Sequence, residues 1–174
     1  MAAKSKEATA SSDLEFVITR VFDAPRALVW KAWTEPERMM RWWGPKGSTM
    51  LDCKMDLRPG GIFHYRMRYI NGQDMWGKFV YREIVAPERL VFINSFSDAE
   101  GGLTRHPLSP TWPLEMVSTL TLSEHQGTTT LTMQWIPLSP TESERKTFEA
   151  GHQSMQQGWT GTLDQLAEYL GGGR

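Results

Sequence analysis

The sequence predicts an α+β domain: one sheet of seven antiparallel strands with a long C-terminal helix laid on it. Three observations carry that expectation. Residues 48 to 136 alternate apolar and polar side chains in segments divided by short turns. A similar segment, 14–22, stands alone near the start. After residue 139 the period becomes that of a helix with one continuous apolar stripe.

The first strand is LEFVITRVF (14–22), rich in β-branched and aromatic residues, with Phe16 and Ile18 facing inward. Asp23 is expected to cap a short helix with Pro25 in its first turn, followed by Leu28 and Trp30. Thr34 and Glu37 have capping-box spacing around Pro36, which opens a second helix through Met39 and Met40 to Trp43. On that helix Pro36, Met39, Met40 and Trp43 share a face, whereas Trp42 is rotated by ~100°. The pattern places Trp43 in the core and Trp42 over a seam, with Trp42 at a pocket mouth as the alternative. Gly44 suits the left-handed position after a helix, and Pro45 prevents continuation.

Six further strands are expected at 48–57, 62–70, 73–85, 89–97, 114–123 and 128–136. Turn chemistry separates most of them, with Asn71-Gly72 the most specific hairpin signal. Links this short demand antiparallel neighbours. On the third strand Phe63, Tyr65, Met67 and Tyr69 share one face and His64, Arg66 and Arg68 the other, giving the sheet a dry and a wet side. The stretch 97–113 is too long and too broken by Pro and Gly for a turn. It reads either as a disordered excursion or as a lid carrying Leu103, His106 and Trp112.

Ser139 and Glu142, with Pro140 between them, are expected to cap the last helix, which runs to about residue 170. Phe148, His152, Met155, Trp159, Leu163, Leu166 and Leu170 recur in steps of four and three, so one face of a ~45 Å rod must be buried. Gly151, Gly158 and Gly161 each cost about 1 kcal/mol relative to Ala in such a helix. They are read as packing sites, with a bend near Gly158 and Trp159 or the close approach of a strand.

Composition excludes several functions. The chain of 174 residues balances 19 basic against 20 acidic side chains, which argues against nucleic acid or an anionic membrane as partner. No apolar run is long enough to span a bilayer. Cys53 is the only cysteine and shares no metal-ligand spacing with the four histidines, so neither a disulfide nor a metal is expected. It reads as a buried small hydrophobe rather than a reactive thiol, and the chain as cytoplasmic. Residues 1–12 read as a disordered tail, 13–170 as a single domain and 171–174 as a frayed end.

The segments FDAPRALVWKAWTEPERMMRWWGP (22–45), DLRPGGIFHYRM (56–67), GKFVYREIVAPERLVF (77–92), TTTLTMQW (128–135) and GWTGTLDQLAEYL (158–170) resemble the activator-of-heat-shock-protein-ATPase homologues. That family belongs to the START-like, birch-pollen-allergen-like SRPBCC superfamily. The resemblance implies the helix-grip fold: a curved seven-stranded sheet around the long helix, with two short helices between the first two strands. It also implies an apolar cavity; relatives bind lipids, hormones or polyketide-like molecules, and some are cyclases or aromatases. Chaperone activation, which needs a second domain, is not expected to transfer, and no family catalytic residue maps here.

Eight Trp and ten Met either pack a core or line a pocket. The ligand-binding candidates are Phe63, Tyr65, Met67, Trp76, Phe92, Trp112, Met116, His152, Met155 and Trp159. His152 is the one ionisable group on the apolar stripe: a satisfied core histidine, a polar anchor for ligand, or an acid-base group. The leading expectation is a carrier or sensor of a small apolar or aromatic molecule, without cofactor, whose polar end lies near His152. Two alternatives stand beside it: a cyclase- or hydrolase-type enzyme using the same cavity, and a protein-interaction module with an apolar patch around Trp42 and the 97–113 loop. A homodimer is compatible with each.

Overall fold

The computed structural model describes residues 14–172. The tail expected over residues 1–12 and the last two residues of the chain lie outside that range. Eight strands form one sheet: β1 (Phe16–Phe22), β2 (Thr49–Met55), β3 (Ile62–Arg68), β4 (Asp74–Val85), β5 (Arg89–Ser97), β6 (Leu103–Thr104), β7 (Met116–His125) and β8 (Thr128–Pro137). Among the described residues four helices complete the order: α1 (Arg26–Thr34), α2 (Pro36–Trp42), α3 (Glu142–Ala150) and α4 (His152–Gly172). The sheet runs β1-β8-β7-β5-β4-β3-β2, all neighbours antiparallel, with the two-residue β6 on β5. This is the expected helix-grip arrangement with one extra short strand.

Alternation decides which side of each strand is dry. Phe63, Tyr65 and Met67 of β3 face inward, as do Phe79 and Tyr81 of β4 and Leu131, Met133 and Trp135 of β8. The opposite face carries His64, Arg66 and Arg68, where Arg66 pairs with Asp52 at 2.9 Å and Arg68 with Asp74 at 2.7 Å. Leu163, Leu166 and Leu170 of α4 are sealed in the same core as Phe79, Phe92 and Leu120. At ~25 cal/mol per Å², burying side chains of this kind contributes roughly 1.5–3 kcal/mol each before entropy.

Three caps sit later than their sequence signals. Pro25, not Asp23, occupies the N-cap of α1. Glu35 occupies that of α2 and uses its carboxylate to accept from Arg38, while Thr34 donates to the Trp30 carbonyl within α1. The capping box of α3 is built from Thr141 and Glu144, because Ser139 has left the extended region for a φ of 45°. In each case a proline near the boundary shifts where helical dihedrals begin.

Instead of one rod, the C-terminal helix is two, meeting at Gly151 with φ −87° and ψ −2°. The expected bend thus falls seven residues before Gly158. A Cβ on Gly151 would lie 2.9 Å from Cζ3 of Trp112, so the indole rests where only a glycine leaves room. Gly158 meets nothing within 4 Å of an added Cβ. These two glycines should therefore respond oppositely to Ala. Gly158→Ala is expected to raise unfolding stability by about 0.5–1 kcal/mol through helix propensity. Gly151→Ala should lower it by roughly 1–3 kcal/mol through overpacking, read from urea denaturation midpoints.

Candidate functional site

The helix-sheet seam has two unlike ends. Around Leu163, Leu166 and Leu170 it is solid; toward Gly151, Ser154 and Gly158 the helix offers little side chain, and a cavity of about 600 Å³ remains. Rings wall most of it. Trp159 lies between Trp43, at a centroid distance of 5.2 Å, and Trp135, at 4.4 Å. Tyr65 and Met67 reach in from β3, Met75 from β4, Phe96 from β5 and Met116 from β7. A recess of about 80 Å³ adjoins it, sharing Asn94, Phe96 and Trp112.

Six of the ten candidates line this cavity: Tyr65, Met67, Trp112, Met116, Met155 and Trp159. The other four do not. Phe63 is fully buried one step along β3 from Tyr65, and Phe92 stacks on Phe79 at 4.1 Å, so both belong to the solid core. Trp76 projects from the opposite side of the sheet, where it stacks on His64 at 5.1 Å with the Arg66 guanidinium 5.4 Å from its ring centroid. Parity explains this: Trp76 has the opposite phase to Phe79 and Tyr81 on β4.

His152 packs against Phe16 and Phe148, at 5.6 and 5.0 Å, on the β1 side of the helix, and it is not among the cavity-lining residues. Its Nε2 is buried without a hydrogen-bond partner among the described residues.

Both tryptophans of the RWWGP stretch are buried: Trp43 joins the core as expected and also reaches the cavity wall, while Trp42 is not at the seam or pocket mouth expected of it. Trp42, 2% exposed, is locked between the short helices with its indole N–H donating to the Ala32 carbonyl at 2.9 Å. Such burial removes the apolar surface patch expected around Trp42. The helix ends one residue early, and Gly44 takes a φ of 117°, so Trp43 leaves the helical stripe and turns its ring into the cavity. Thr162 donates to the Gly44 carbonyl at 3.0 Å, and Gln165 donates to the carbonyls of Trp42 and Gly44 at 3.1 and 2.8 Å. These bonds tie the turn to α4.

The 97–113 stretch has defined structure and forms a wall. β6 pairs with the end of β5 that β7 leaves uncovered, His106 bridges Ser109, and Trp112 packs on Phe148 at 5.6 Å. Arg105 donates to the Glu144 carboxylate, and Thr111 and Thr147 share a hydrogen bond of 2.8 Å. His106 lines the cavity, as the lid reading required, while Leu103 is exposed. Leu108 N–H donates to His106 Nδ1 at 3.0 Å, and burial pushes the imidazole below its ordinary pKa. The neutral ring therefore carries its proton on Nε2.

Burial drives the Tyr65 phenol well above its usual range. The Trp43 indole N–H opposes that rise, yet it is buried and has no hydrogen-bond partner among the described residues. Among the described residues no Asp, Glu, Lys or Arg lines the cavity. Among the described residues no cluster of three metal-ligating side chains occurs, and no helix is long and apolar enough to cross a membrane.

The family model for activator of Hsp90 ATPase homolog 1-like protein matches residues 23–171. The chain belongs to this family. Among solved structures, a protein from Nitrosomonas europaea is 28% identical, with 91% of this chain and 94% of that one covered and a TM-score of 0.71. One from Arthrobacter aurescens is 25% identical, covering 92% and 88%, with a TM-score of 0.74. A protein from Mycobacterium smegmatis has the same TM-score of 0.74 at 23% identity, covering 92% of each chain, and speaks to the fold alone. No match is found among the curated proteins.

Arg105 and the Thr141 backbone N–H hold the Glu144 carboxyl below the usual glutamate range. A lowered folded-state pKa stabilises above the unfolded value, and this contribution fades as pH falls through the folded value. Glu144→Gln should therefore melt below wild type at neutral pH. The gap in melting temperature should close in acid, as followed by circular dichroism from pH 7 to 3. Thr141→Ala, which removes the other half of the box, should cost about 1 kcal/mol.

Proposed function

We propose that this domain binds a small, uncharged, apolar or aromatic molecule between helix and sheet, as a carrier or sensor. The observation that carries the reading is the lining: a cavity of about 600 Å³ walled by tryptophan, tyrosine, phenylalanine and methionine, with no charged side chain. Such a volume suits a drug-sized molecule, and soft methionine walls adapt to several shapes. A cyclase or hydrolase in this cavity would have His106 as its one ordinary acid-base group, with no carboxylate at the wall to set or share its proton. For an interaction module, burial of Trp42 takes away one of the two surfaces on which that reading depended, leaving Leu103 and Leu108 of the 97–113 stretch exposed.

Naphthalene and 1-naphthoate separate an uncharged site from a merely greasy one. Naphthalene at about 100 times its Kd should stabilise the domain by roughly 2.7 kcal/mol, seen as a rise in melting temperature, and should quench tryptophan fluorescence. The carboxylate, which would be buried without a cation, should bind at least ~100-fold more weakly. Equal binding of the two, or binding of neither, would remove the reading.

A further inference from the structure

Three nitrogen-bearing side chains of the cavity wall share a sign. At His106 the Nδ1 acceptor is taken by the Leu108 N–H at 3.0 Å, and Nε2, left with the proton, has no partner among the described residues. At Asn94 the Oδ1 acceptor is taken by the Ser118 hydroxyl, and the Nδ2 hydrogens have no partner there. At Trp43, 8% exposed, the indole N–H is buried and unpaired, and an indole nitrogen can only donate. All three residues line the same cavity. Their fixed acceptors are occupied while their N–H groups are open. Of the three only the Trp43 N–H is sealed from water; at half-buried His106 and Asn94 a hydrocarbon occupant that displaces water leaves the donor unmade, at about 1–3 kcal/mol, and an occupant that accepts does not.

Position adds to chemistry. Asn94 and Phe96 are alternate residues on one face of β5, and the His106 ring meets the Phe96 ring edge-on at 5.0 Å. The two open donors therefore flank one aromatic side chain, next to the recess that Asn94, Phe96 and Trp112 share with the cavity. A flat ring against Phe96 and Trp112 would bring an oxygen on its edge within reach of His106 or Asn94.

We infer that the occupant is a neutral aromatic molecule bearing an acceptor oxygen, of the aryl ketone or quinone class, which takes a hydrogen bond from His106 Nε2. This deepens the binding reading above and rests on it.

Tetralin and 1-tetralone test it, since they match in shape and differ by one carbonyl. Affinities for both would be measured by calorimetry on the full chain and on His106→Phe, which keeps a ring of similar breadth. Wild type should bind 1-tetralone roughly five- to tenfold more tightly than tetralin, the worth of one hydrogen bond, and His106→Phe should erase that preference while tetralin affinity holds. A second measurement needs no variant. With 15N-labelled histidine, 1-tetralone should shift the His106 Nε2–H resonance downfield and tetralin should not. Equal wild-type affinities, a preference that survives His106→Phe, or an unmoved resonance would overturn the assignment while leaving cavity binding intact. Failure of both probes to bind would instead bring down the binding reading itself.

Discussion

One helix with two unlike halves lies across one sheet face, and the remaining structure follows from how each half meets it. The half carrying Leu163, Leu166 and Leu170 fills the space above the sheet at core density, with each of the three at most 3% exposed. The half carrying Ser154 and Gly158, next to the break at Gly151, cannot. The spacing between helix and sheet is set once, by the packed end and by Trp159 wedged between Trp43 and Trp135. Where side chains are short, that fixed spacing leaves a hollow. The cavity is thus a consequence of helix composition along its length, and the glycines that cost helix stability are what make it.

Two clamps hold the hollow open. On one side Thr162 and Gln165 satisfy the carbonyls that α2 exposes at its end, so the turn after Trp43 cannot swing away from α4. On the other, Arg105 and Thr111 fasten the wall segment to α3, and the Trp112 ring seats against the bare face of Gly151. Each clamp spends a helix terminus or a helix break. Groups that would otherwise be unsatisfied become the attachment points of the cavity wall.

Much of this was legible in the chain. The stripe from Phe148 to Leu170, the strand segments and the inward set on β3 all follow from period alone, and the structure keeps them. What period does not give is which edge of a stripe faces which strand. His152 and Met155 sit on the same helical face, yet His152 meets Phe16 of β1 while Met155 reaches the cavity beside β3 and β5. Trp76 fails for a simpler reason, since its phase against Phe79 was available in β4 and outweighs its size. Trp43 was hidden by a single residue of helix length. An angular argument of ~100° per residue assigns the two tryptophans only while both are helical, and Gly44 ends the helix before the second. His106 had only its place in a long loop to mark it. No sequence spacing relates it to Asn94 or Trp43, because the three meet through a strand, a wall segment and a helix end.

The polarity of the wall narrows what the cavity can do with an occupant. Proton transfer at neutral pH needs a group that can change state in place, and His106 is poorly suited to that: its Nδ1 is held by a backbone N–H, and burial disfavours its charged form. With no carboxylate in the wall, a developing imidazolium would have no counter-charge. A neutral donor in a greasy surround is instead suited to orientation. On the proposed binding reading, it would offer little to molecules without an acceptor, resist carboxylates by lacking a cation, and set which end of a flat ring faces the Asn94 and Phe96 recess. Selectivity of that kind would be built from uncharged contacts and a set of adaptable rings rather than from fixed charges.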